Sequence, residues 1–522
     1  MKIGKIIFAC LLLTACTQPT LQDEWQDWKK QQSDNPGTED DENQQEDVTD
    51  SLSFTYFAFL KEDNPELADD MVCTSLSSQN LLLIPTCELH LPCMLKPRFA
   101  LKGGTLIYNG DEMVSGESEM YCSYNQSALI RIEGDEKKQY HSISFAHYTG
   151  LPVVEICSES SIRSFWQDAT MTVHGLGKYA DRQSDSIKIK RRGNSTANLP
   201  KTPFNIKFEK KTPLLGMAKG KRWCFLANYR DRSGVRNDIA LELGHMADGM
   251  EWNPHSVFAE LYFNGNHCGT YQVTEAIRQN EDRVPVEALE YSDTLSDVIS
   301  GGYIFEVDDH FKRTYKFKTN LCSWPVNMRY PKDDDMNEAQ FDYIQVFCNQ
   351  LEAALVSGDF DVMRAQMDYP SFIDMFIVEQ VMGSNEFCSS GSIYCYKKRN
   401  GKLYAGPLWD FEHQSLVSDD NQKVYKALWY PYLFADPVFS DGVKQRWPVL
   451  KQRFEDRIFD YIDERKSELA LSATYNDSLY PLEGKNFLNK DENLTFDEAV
   501  DRLAGVLRER IQTTDAYITT LP

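Results

Sequence analysis

The 522-residue sequence has little positive charge and few long apolar runs, and both shortages narrow the classes of protein it can belong to. Its 55 lysines and arginines are outnumbered by 79 aspartates and glutamates, giving a formal net charge of −24. That balance argues against a nucleic-acid partner, which needs a basic surface. After residue 16, no segment approaches the roughly 18 uninterrupted apolar residues of a membrane-spanning helix.

Several catalytic and metal-site motifs are also missing. The sequence contains neither HExxH nor GxSxG, which argues against zinc-protease and esterase chemistry. Its thirteen cysteines include no CxxC pair, so zinc-ribbon and thioredoxin-like interpretations have little support. Four of the cysteines, Cys224, Cys268, Cys348 and Cys395, sit singly in apolar patterns typical of core residues. In an oxidising compartment, four early cysteines can form one or two disulfides: Cys73, Cys87, Cys93 and Cys122.

The first 16 residues have the pattern of an export signal. Lys2 and Lys5 precede an apolar run, residues 6–13, that is too short to span a bilayer. The following residues, 13–16, read LTAC and look like a bacterial lipobox, in which Cys16 becomes the acylated first residue. Ordinary secretion with cleavage after small residues is the alternative. The pattern predicts a lipid-anchored protein of the bacterial cell envelope, on the periplasmic or outer-membrane surface side.

The remaining chain divides by composition into a tether and two domains. Residues 34–50 contain eight acids and no base, so we expect 17–50 to be a disordered, self-repelling tether. Short alternating strands over 51–150 predict a small Ig-like β-sandwich, with a hairpin turn at 134–135. From 151 to 522 strands come first and long helices later, which predicts a two-lobed α+β domain with a helical C-terminal part.

Within the second domain, periodicity predicts individual elements. Alternating apolar residues at 202–211 indicate a half-buried strand. The Asn264-Gly265 pair inside 256–275 indicates a hairpin, because both residues tolerate the positive φ of a type I′ turn. Helical spacing predicts four further elements, at 338–356, 371–382, 443–465 and 496–518.

The segment 406–412, GPLWDFE, places two acids, Asp410 and Glu412, on one face of an extended chain. A two-residue turn at Asn400-Gly401 would bring Asp410 back to position 391, close to Glu386. We therefore expect acids that enter and leave one hairpin to meet in a cleft. Close carboxylates repel each other, so a cation is expected beside them.

Protein kinases use such an arrangement: a catalytic-loop acid, a hairpin and then a metal-binding aspartate. They also need basic groups for the nucleotide phosphates. Lys207 on its strand and the basic residues 188–192 before Gly193 are candidates, although a strand lysine is more often only solvated. A glycoside hydrolase with paired acids is an alternative, but it leaves Lys207 without a role.

Seven blocks of the chain resemble, in order and spacing, the CotH family of spore coat protein kinases, and the preceding β-domain and lipobox resemble the lipoprotein form found in Bacteroidetes-type bacteria. The resemblance covers about residues 150–520 and is carried by IKIKRRGNST (187–196), PKTPFNIKFEKK (200–211), LLGM (214–217), WCFLANYRDRSGVRN (223–237), ELYFNGNHCGTYQVTEAI (260–277), GGYIFEVDD (301–309) and GKLYAGPLWDFE (401–412). It implies an atypical protein-kinase fold that transfers phosphate from ATP, with Mg²⁺ or Mn²⁺, to Ser/Thr of an acceptor protein that the sequence does not identify.

The resemblance also implies roles for individual residues. Asp410 would bind the metal, together with Glu412, and Glu386 would be the catalytic acid of the preceding loop. The nucleotide side would contain Lys207 facing the phosphates, Glu275 in a supporting role, and the loop residues Arg192, Gly193 and Asn194, whose backbone N–H groups can face phosphate oxygens.

The chain departs from the family pattern at four places. Glu386 and Glu412 stand where aspartate is usual, Ala197 replaces a tryptophan, and residues 378–380 replace an Asn-Glu pair. A misplacement of about 1 Å can cost roughly a hundredfold in rate. A catalytically inactive, kinase-like binding or scaffold lipoprotein is therefore the alternative to an active kinase.

If Cys16 carries the lipid, Cys16→Ser should move the protein from the detergent phase to the aqueous phase in detergent phase separation. The acyl chains would otherwise supply the membrane affinity. Equal partitioning of wild type and variant would contradict the anchor.

Overall fold

The computed structural model describes residues 52–76, 79–417 and 424–522. The predicted signal peptide, Cys16 and the acidic tether lie outside these described residues. The chain divides into two compact units, one ending at Tyr148 and the other comprising Thr149–Pro522. The predicted domain boundary lay at 150/151.

The N-terminal unit consists of short strands around one apolar core. Its sheets have the strand orders β2-β1-β5, β3-β10-β9-β6-β7 and β4-β8. Phe57 and Phe59 of the first sheet and Ile130 and Ile132 of the second enter the same core, as the inner faces of a sandwich do. The strands are β1 Ser53–Phe59, β2 Met71–Val72, β3 Asn80–Leu83, β4 Cys93–Leu95, β5 Arg98–Lys102, β6 Thr105–Tyr108, β7 Asp111–Glu112, β8 Met120–Cys122, β9 Ala128–Glu133 and β10 Lys138–Phe145.

The C-terminal unit begins with seven strands that close into a barrel in the order β11-β12-β13-β14-β15-β17-β16. Trp223 and Phe225 are fully buried in its core. The strands are β11 Val153–Cys157, β12 Gln167–His174, β13 Arg182–Arg191, β14 Phe204–Leu214, β15 Met217–Leu226, β16 Ser256–Phe263 and β17 Asn266–Glu275.

A second sheet of the same unit packs against helices in a separate and larger core. Its strand order is β19-β20-β18-β21-β22, with β18 Tyr303–Val307, β19 Lys316–Lys318, β20 Pro325–Tyr330, β21 Ile393–Lys397 and β22 Leu403–Ala405. The helices are α1 Arg236–Met246, α2 Glu338–Ser357, α3 Phe360–Gln366, α4 Tyr369–Met382, α5 Asn385–Cys388, α6 Tyr430–Leu433, α7 Pro437–Leu479 and α8 Phe496–Ile518. In the described part of the chain, no helix combines the length and the apolar character that a membrane crossing needs.

The two predicted hairpins of this unit turn differently. The β16–β17 turn at Asn264-Gly265 is confirmed, with positive φ at both residues (48° and 75°). The prediction of a two-residue turn at Asn400-Gly401 is wrong. A type I′ turn needs positive φ at both residues, and only Asn400 has it (49°). The Lys398 amide donates to the Lys402 carbonyl (3.3 Å), so three residues form the loop and the register shifts by one.

The C-terminal end of α4 is fixed by a glycine and a buried arginine. Gly383 ends the helix in the left-handed region (φ 59°), and its amide donates to the Glu379 carbonyl (2.8 Å). Arg510 of α8 donates from Nε to the Val381 carbonyl and from Nη2 to the Gln380 carbonyl, both at 2.6 Å. A Cβ at position 383 would lie 2.4 Å from Arg510 Cζ. Only glycine therefore fits at position 383, directly after α4.

We expect Gly383→Ala to lower the free energy of unfolding by about 2–4 kcal/mol, through left-handed strain plus the clash with Arg510. The matched control is Gly358→Ala, which has the same left-handed geometry at the end of α2 but no contact closer than 3.7 Å for its Cβ. The control should cost about 1 kcal/mol. Equal losses in urea unfolding would show that the Arg510 contact does not matter.

Candidate functional site

Six of the predicted site residues meet in a cavity of about 560 Å³ in the C-terminal unit. Strands β13–β15 of the barrel contribute one part of its lining, and the sheet containing β18, β20 and β21 contributes another. These six are the acids Glu386, Asp410 and Glu412 and the loop residues Arg192, Gly193 and Asn194. The acids and the glycine loop are therefore parts of one site.

The segment that carries Asp410 and Glu412 follows β22 without regular secondary structure, and asparagine side chains hold its backbone. Asn253 accepts from the Leu408 amide (2.9 Å), Asn237 from the Phe411 amide (2.7 Å) and Asn489 from the Gln414 amide (2.7 Å). These three contacts replace the strand pairing that ends at residue 405. Together they fix the direction in which the two acids point.

The two acids have different surroundings. Asp410 is exposed, has positive φ (67°), and accepts a hydrogen bond from the Ser392 hydroxyl at Oδ2 (3.2 Å). Glu412 is half-buried, and its Oε1 accepts from the Arg230 amide (2.8 Å). A left-handed aspartate is strained, and such strain concentrates at functional sites. Burial raises the pKa of Glu412 to about 7, and Asp410 adds to the shift.

Glu386 lies on the short helix α5, which is capped by the Ser384 hydroxyl accepting from the Phe387 amide (3.3 Å). Its carboxylate lies against Gly391, where a Cβ would be 2.3 Å from Oε2. Burial raises the pKa of Glu386 to about 7, and the negative charges of Asp410 and Asp308 add to the shift. Glu386 packs against Gly391 and Asp410 bonds the next residue, Ser392, so the two acids lie close together at the entry of the hairpin.

The loop 192–196 faces the cavity with unpaired amides. Gly193 has positive φ (93°), and a Cβ there would lie 2.2 Å from Thr196 Oγ1. Among the described residues, the amides of Gly193, Asn194 and Ser195 have no hydrogen-bond acceptor. The Arg192 guanidinium lies 5.3 Å from the centre of the Trp409 ring, directly before Asp410. Free amides beside a cation form a site for anionic oxygens.

The cavity lining is strongly cationic although the chain is acidic. Nine lysines and arginines face five carboxylates, Glu306 and Asp308 being the two not yet described. The cations are Lys190, Arg191, Arg192, Arg222, Arg230, Arg278, Lys312, Arg313 and Arg329. This surplus suits a polyanionic ligand.

Two predicted residues lie outside the lining. Lys207 is half-exposed on the same face of β14 as Asn205, which does line the cavity. Glu275 is fully buried, and its Oε2 accepts from the His255 amide (3.0 Å). Its Oε1 lies 3.6 Å from Arg283 Nε. The structure thus does not bring these two side chains into the cavity, and their nucleotide roles stay predictions.

Sequence reasoning missed most of the cations and the three asparagines. Arg278 follows directly after the recognised block 260–277, and Arg329 is the last residue but one of β20. Neither has a local signal, because the two come together only when the barrel and the second sheet fold. Arg230 and Asn237 lie within a block that was recognised, WCFLANYRDRSGVRN, but nothing in its spacing marks which of its residues face a cavity.

The donor set fits a divalent cation only in part. In the described ranges, no group of three or more His, Cys, Asp or Glu side chains is arranged to hold a metal ion. Mg²⁺ is commonly held by one or two carboxylates together with phosphate oxygens and water. Asp410 and Glu412 supply two carboxylates, and the cations around them suit the phosphates. The residues therefore fit a metal that binds jointly with a nucleotide.

Comparison with protein families gives one match to this region. A family model described as "CotH kinase protein" matches residues 189–514, which is more than half of the chain and includes both the glycine loop and the acids. A search of curated proteins found no match.

The buried Glu379 of α4 should make the stability of the fold depend on pH. It is buried, its Oε2 has no partner among the described residues, and burial raises its pKa to about 8. The native state therefore holds a proton that the unfolded chain loses near its ordinary pKa of about 4.3. Stability should fall as pH rises from about 5 to 8.

Glu379→Gln should remove this loss. The free energy of unfolding of the variant, relative to that of wild type, should therefore rise by about 2–4 kcal/mol between pH 5 and pH 8.5 in urea unfolding. The control is Glu352→Gln. Glu352 is equally buried, but its carboxylate accepts from the Leu321 and Cys322 amides (both 2.8 Å). That substitution should destabilise at both pH values. A pH-independent difference for Glu379→Gln would contradict the buried-proton interpretation.

Proposed function

The chain belongs to the CotH kinase family, and we propose that it transfers phosphate from ATP to Ser/Thr of a protein acceptor with Mg²⁺ or Mn²⁺. The observation that carries the proposal is the cavity, in which three acids and an amide-rich loop share a cationic lining. Kinase chemistry requires these two halves: charge for the nucleotide, and acids for the metal and the acceptor. We further propose that the barrel forms one lobe of a kinase-like domain, and that the second sheet with the helices packed on it forms the other.

Phosphate binding is assigned to the loop 192–194. The free amides of Gly193 and Asn194 can donate to phosphate oxygens, and the Arg192 guanidinium, which lies over the Trp409 ring, adds a fixed positive charge. Lys207 follows Asn205 on the same face of β14, and its side chain would have to extend toward the cavity to contact the phosphates. Glu275 would act only indirectly, because it ends β17 and Arg278 of the cavity lining follows three residues later.

Asp410 and Glu412 are assigned to the metal, which would supply charge neutralisation between the phosphates. Asp410 is the exposed member and so the more accessible ligand. Glu412 offers Oε2, since Oε1 is held by the Arg230 amide. The asparagine contacts to Leu408, Phe411 and Gln414 keep both carboxylates oriented without rearrangement.

Glu386 is assigned to the acceptor side. A group whose pKa lies near 7 is suited to accept a proton at neutral pH, and Glu386 would take the proton of the acceptor hydroxyl. Its extra methylene relative to the usual aspartate is accommodated by the space above Gly391. The longer side chain is thus compatible with catalysis.

The cell-envelope location is part of the proposal. A lipid on Cys16 would hold the kinase on a membrane, and the acidic tether would separate the two. The N-terminal strand unit would act as a spacer or packing platform in this arrangement.

The test compares nucleotide binding and phosphotransfer in three forms of the full chain: wild type, Asp410→Asn and Glu386→Gln. Asp410→Asn should lose metal-dependent ATP binding, because an amide is a poor ligand for a hard cation. Glu386→Gln should keep ATP affinity within a few-fold and lower turnover by about 10²–10⁴-fold. Calorimetry with and without Mg²⁺ or Mn²⁺ measures the first quantity, and labelled phosphate transfer measures the second.

Two outcomes would change the assignment. Unchanged metal-dependent affinity in folded Asp410→Asn would remove the metal role of that residue. ATP binding by wild type without transfer to any acceptor would replace the kinase with a catalytically inactive binding module. Glu386→Asp then serves as the conservative variant, since restored or raised transfer would show that the loop keeps the family geometry.

A further inference from the structure

Two cysteines of the N-terminal unit, Cys93 and Cys122, lie opposite each other on paired strands. Cys93 begins β4, Cys122 ends β8, and the antiparallel register makes the two residues direct partners. Directly opposite residues of an antiparallel pair have Cα atoms about 4.5 or about 5.5 Å apart, depending on the hydrogen-bonding pattern. Both separations fall within the range of about 4.4–6.8 Å that a disulfide bridges. The register therefore brings the two residues within disulfide reach.

The two thiols also face the same side of the strand pair. Side chains alternate between the two faces along a strand. Leu95 and Met120, which lie two residues along β4 and β8 from the cysteines, are buried, and the residue between is exposed in both strands. The cysteines share this inner face: Cys122 is buried in the apolar core of the unit, and Cys93 is half-buried against it. Both side chains therefore meet the same core from opposite strands.

The other two cysteines of this unit lie outside β4 and β8. Cys73 directly follows β2, and its amide donates to the Phe57 carbonyl (2.9 Å). Cys87 lies in the segment between β3 and β4. Four cysteines can form two disulfides in three ways, and the sequence does not choose among them. Of the strand pairings that the structure describes, only β4–β8 sets two cysteines opposite each other.

The position of the pair in the sandwich gives a covalent link a large effect. β4 and β8 form a separate two-stranded sheet with three paired positions, and such a sheet is at most marginally stable by itself. The chain between the two cysteines contains β5, β6 and β7. β5 pairs with β1 in one larger sheet, and β6 pairs with β9 in the other. A link would thus close a loop that supplies strands to both sheets, which restricts the unfolded chain.

We propose that Cys93 and Cys122 form a disulfide that joins β4 to β8 and stabilises this strand pair. The disulfide does not depend on the proposed phosphotransfer. Its setting is the export route predicted from residues 1–16, because disulfides persist in oxidising compartments.

Closure requires an oxidant, here a protein or small-molecule disulfide. The Cys93 thiol, the less buried of the two, loses its proton and attacks one sulfur of the oxidant, which releases a thiolate and leaves a mixed disulfide. The Cys122 thiolate then attacks Cys93 Sγ and releases the second thiolate of the oxidant. The two thiols of the chain are oxidised, and the oxidant is reduced to two thiols that take up the two protons. Burial raises the pKa of both cysteines, so closure should be faster at higher pH.

The test maps disulfides in the full chain after equilibration with oxidised and reduced glutathione. Free thiols are blocked with iodoacetamide, and the chain is digested without reductant by trypsin and a glutamate-specific protease. Cleavage after Glu88 separates Cys93 from Cys73 and Cys87, so each pairing gives a different linked peptide in mass spectrometry. We expect the peptides of Cys93 and Cys122 to be joined in the large majority of molecules.

Amide hydrogen exchange on the same samples measures the effect of the link. The amides of β4 and β8 should exchange at least tenfold more slowly in the oxidised chain than in the chain reduced before exchange, because the link opposes local opening of the pair.

The variants are Cys93→Ser and, as its matched control, Cys87→Ser. Both positions are half-buried cysteines of the same unit, so serine is comparably tolerated at each. Cys93→Ser should remove the linked peptide and make exchange in β4 and β8 equal under oxidising and reducing conditions. Cys87→Ser should keep both the link and the slower exchange. The mapping of wild type decides the pairing even where Cys93→Ser does not fold.

Three outcomes would overturn the proposal. The first is iodoacetamide-blocked thiols at both Cys93 and Cys122 in the oxidised wild type. The second is a link from either residue to Cys73 or Cys87. The third is a link between Cys93 and Cys122 that leaves the exchange of β4 and β8 unchanged, which would remove the stabilising role. None of these measurements depends on ATP binding or phosphate transfer, so the outcome is separate from that of the proposed function.

Discussion

Repulsion among carboxylates is the constraint on which the arrangement of the cavity depends. Burial raises the pKa of Glu386 and of Glu412, the charge of Asp410 adds to both shifts, and Glu412 adds to the one at Glu386. The structure keeps them together by holding the backbone, through asparagine side chains and the Arg230 amide, while positive charge surrounds them. A scaffold that did not fix the main chain would let the acids move apart.

The same constraint bears on Glu386 and Glu412, where the family resemblance leads us to expect aspartate. A longer side chain needs space, and Gly391 provides it beside Glu386. Asp410, which keeps the usual residue type, is also the one in a strained left-handed conformation. The strained backbone position thus carries the shortest of the three acids.

Local chemistry explains why part of the fold could be predicted. The strand β14, the turn at Asn264-Gly265 and the end of α4 at Gly383 each follow from residues within a few positions. The turn after β21 was missed because Asn-Gly permits a type I′ turn without requiring one. Closure of the barrel and convergence of the cations in the cavity lining depend on pairings between distant segments, which no local pattern records. The acids were predictable because their hairpin joins them within a short stretch, whereas Lys207 shares a face of β14 with Asn205 but does not itself line the cavity.

Asn489 has a consequence for how the protein matures. It lies just before the last helix, yet its side chain bonds the Glu412 carbonyl (2.9 Å), the Arg230 carbonyl (2.7 Å) and the Gln414 amide. Synthesis on the ribosome proceeds from the N-terminus, so a nascent chain carries both acids well before the residue that orients them emerges. The cavity is therefore completed late, and a partly made chain has the acids without their arrangement.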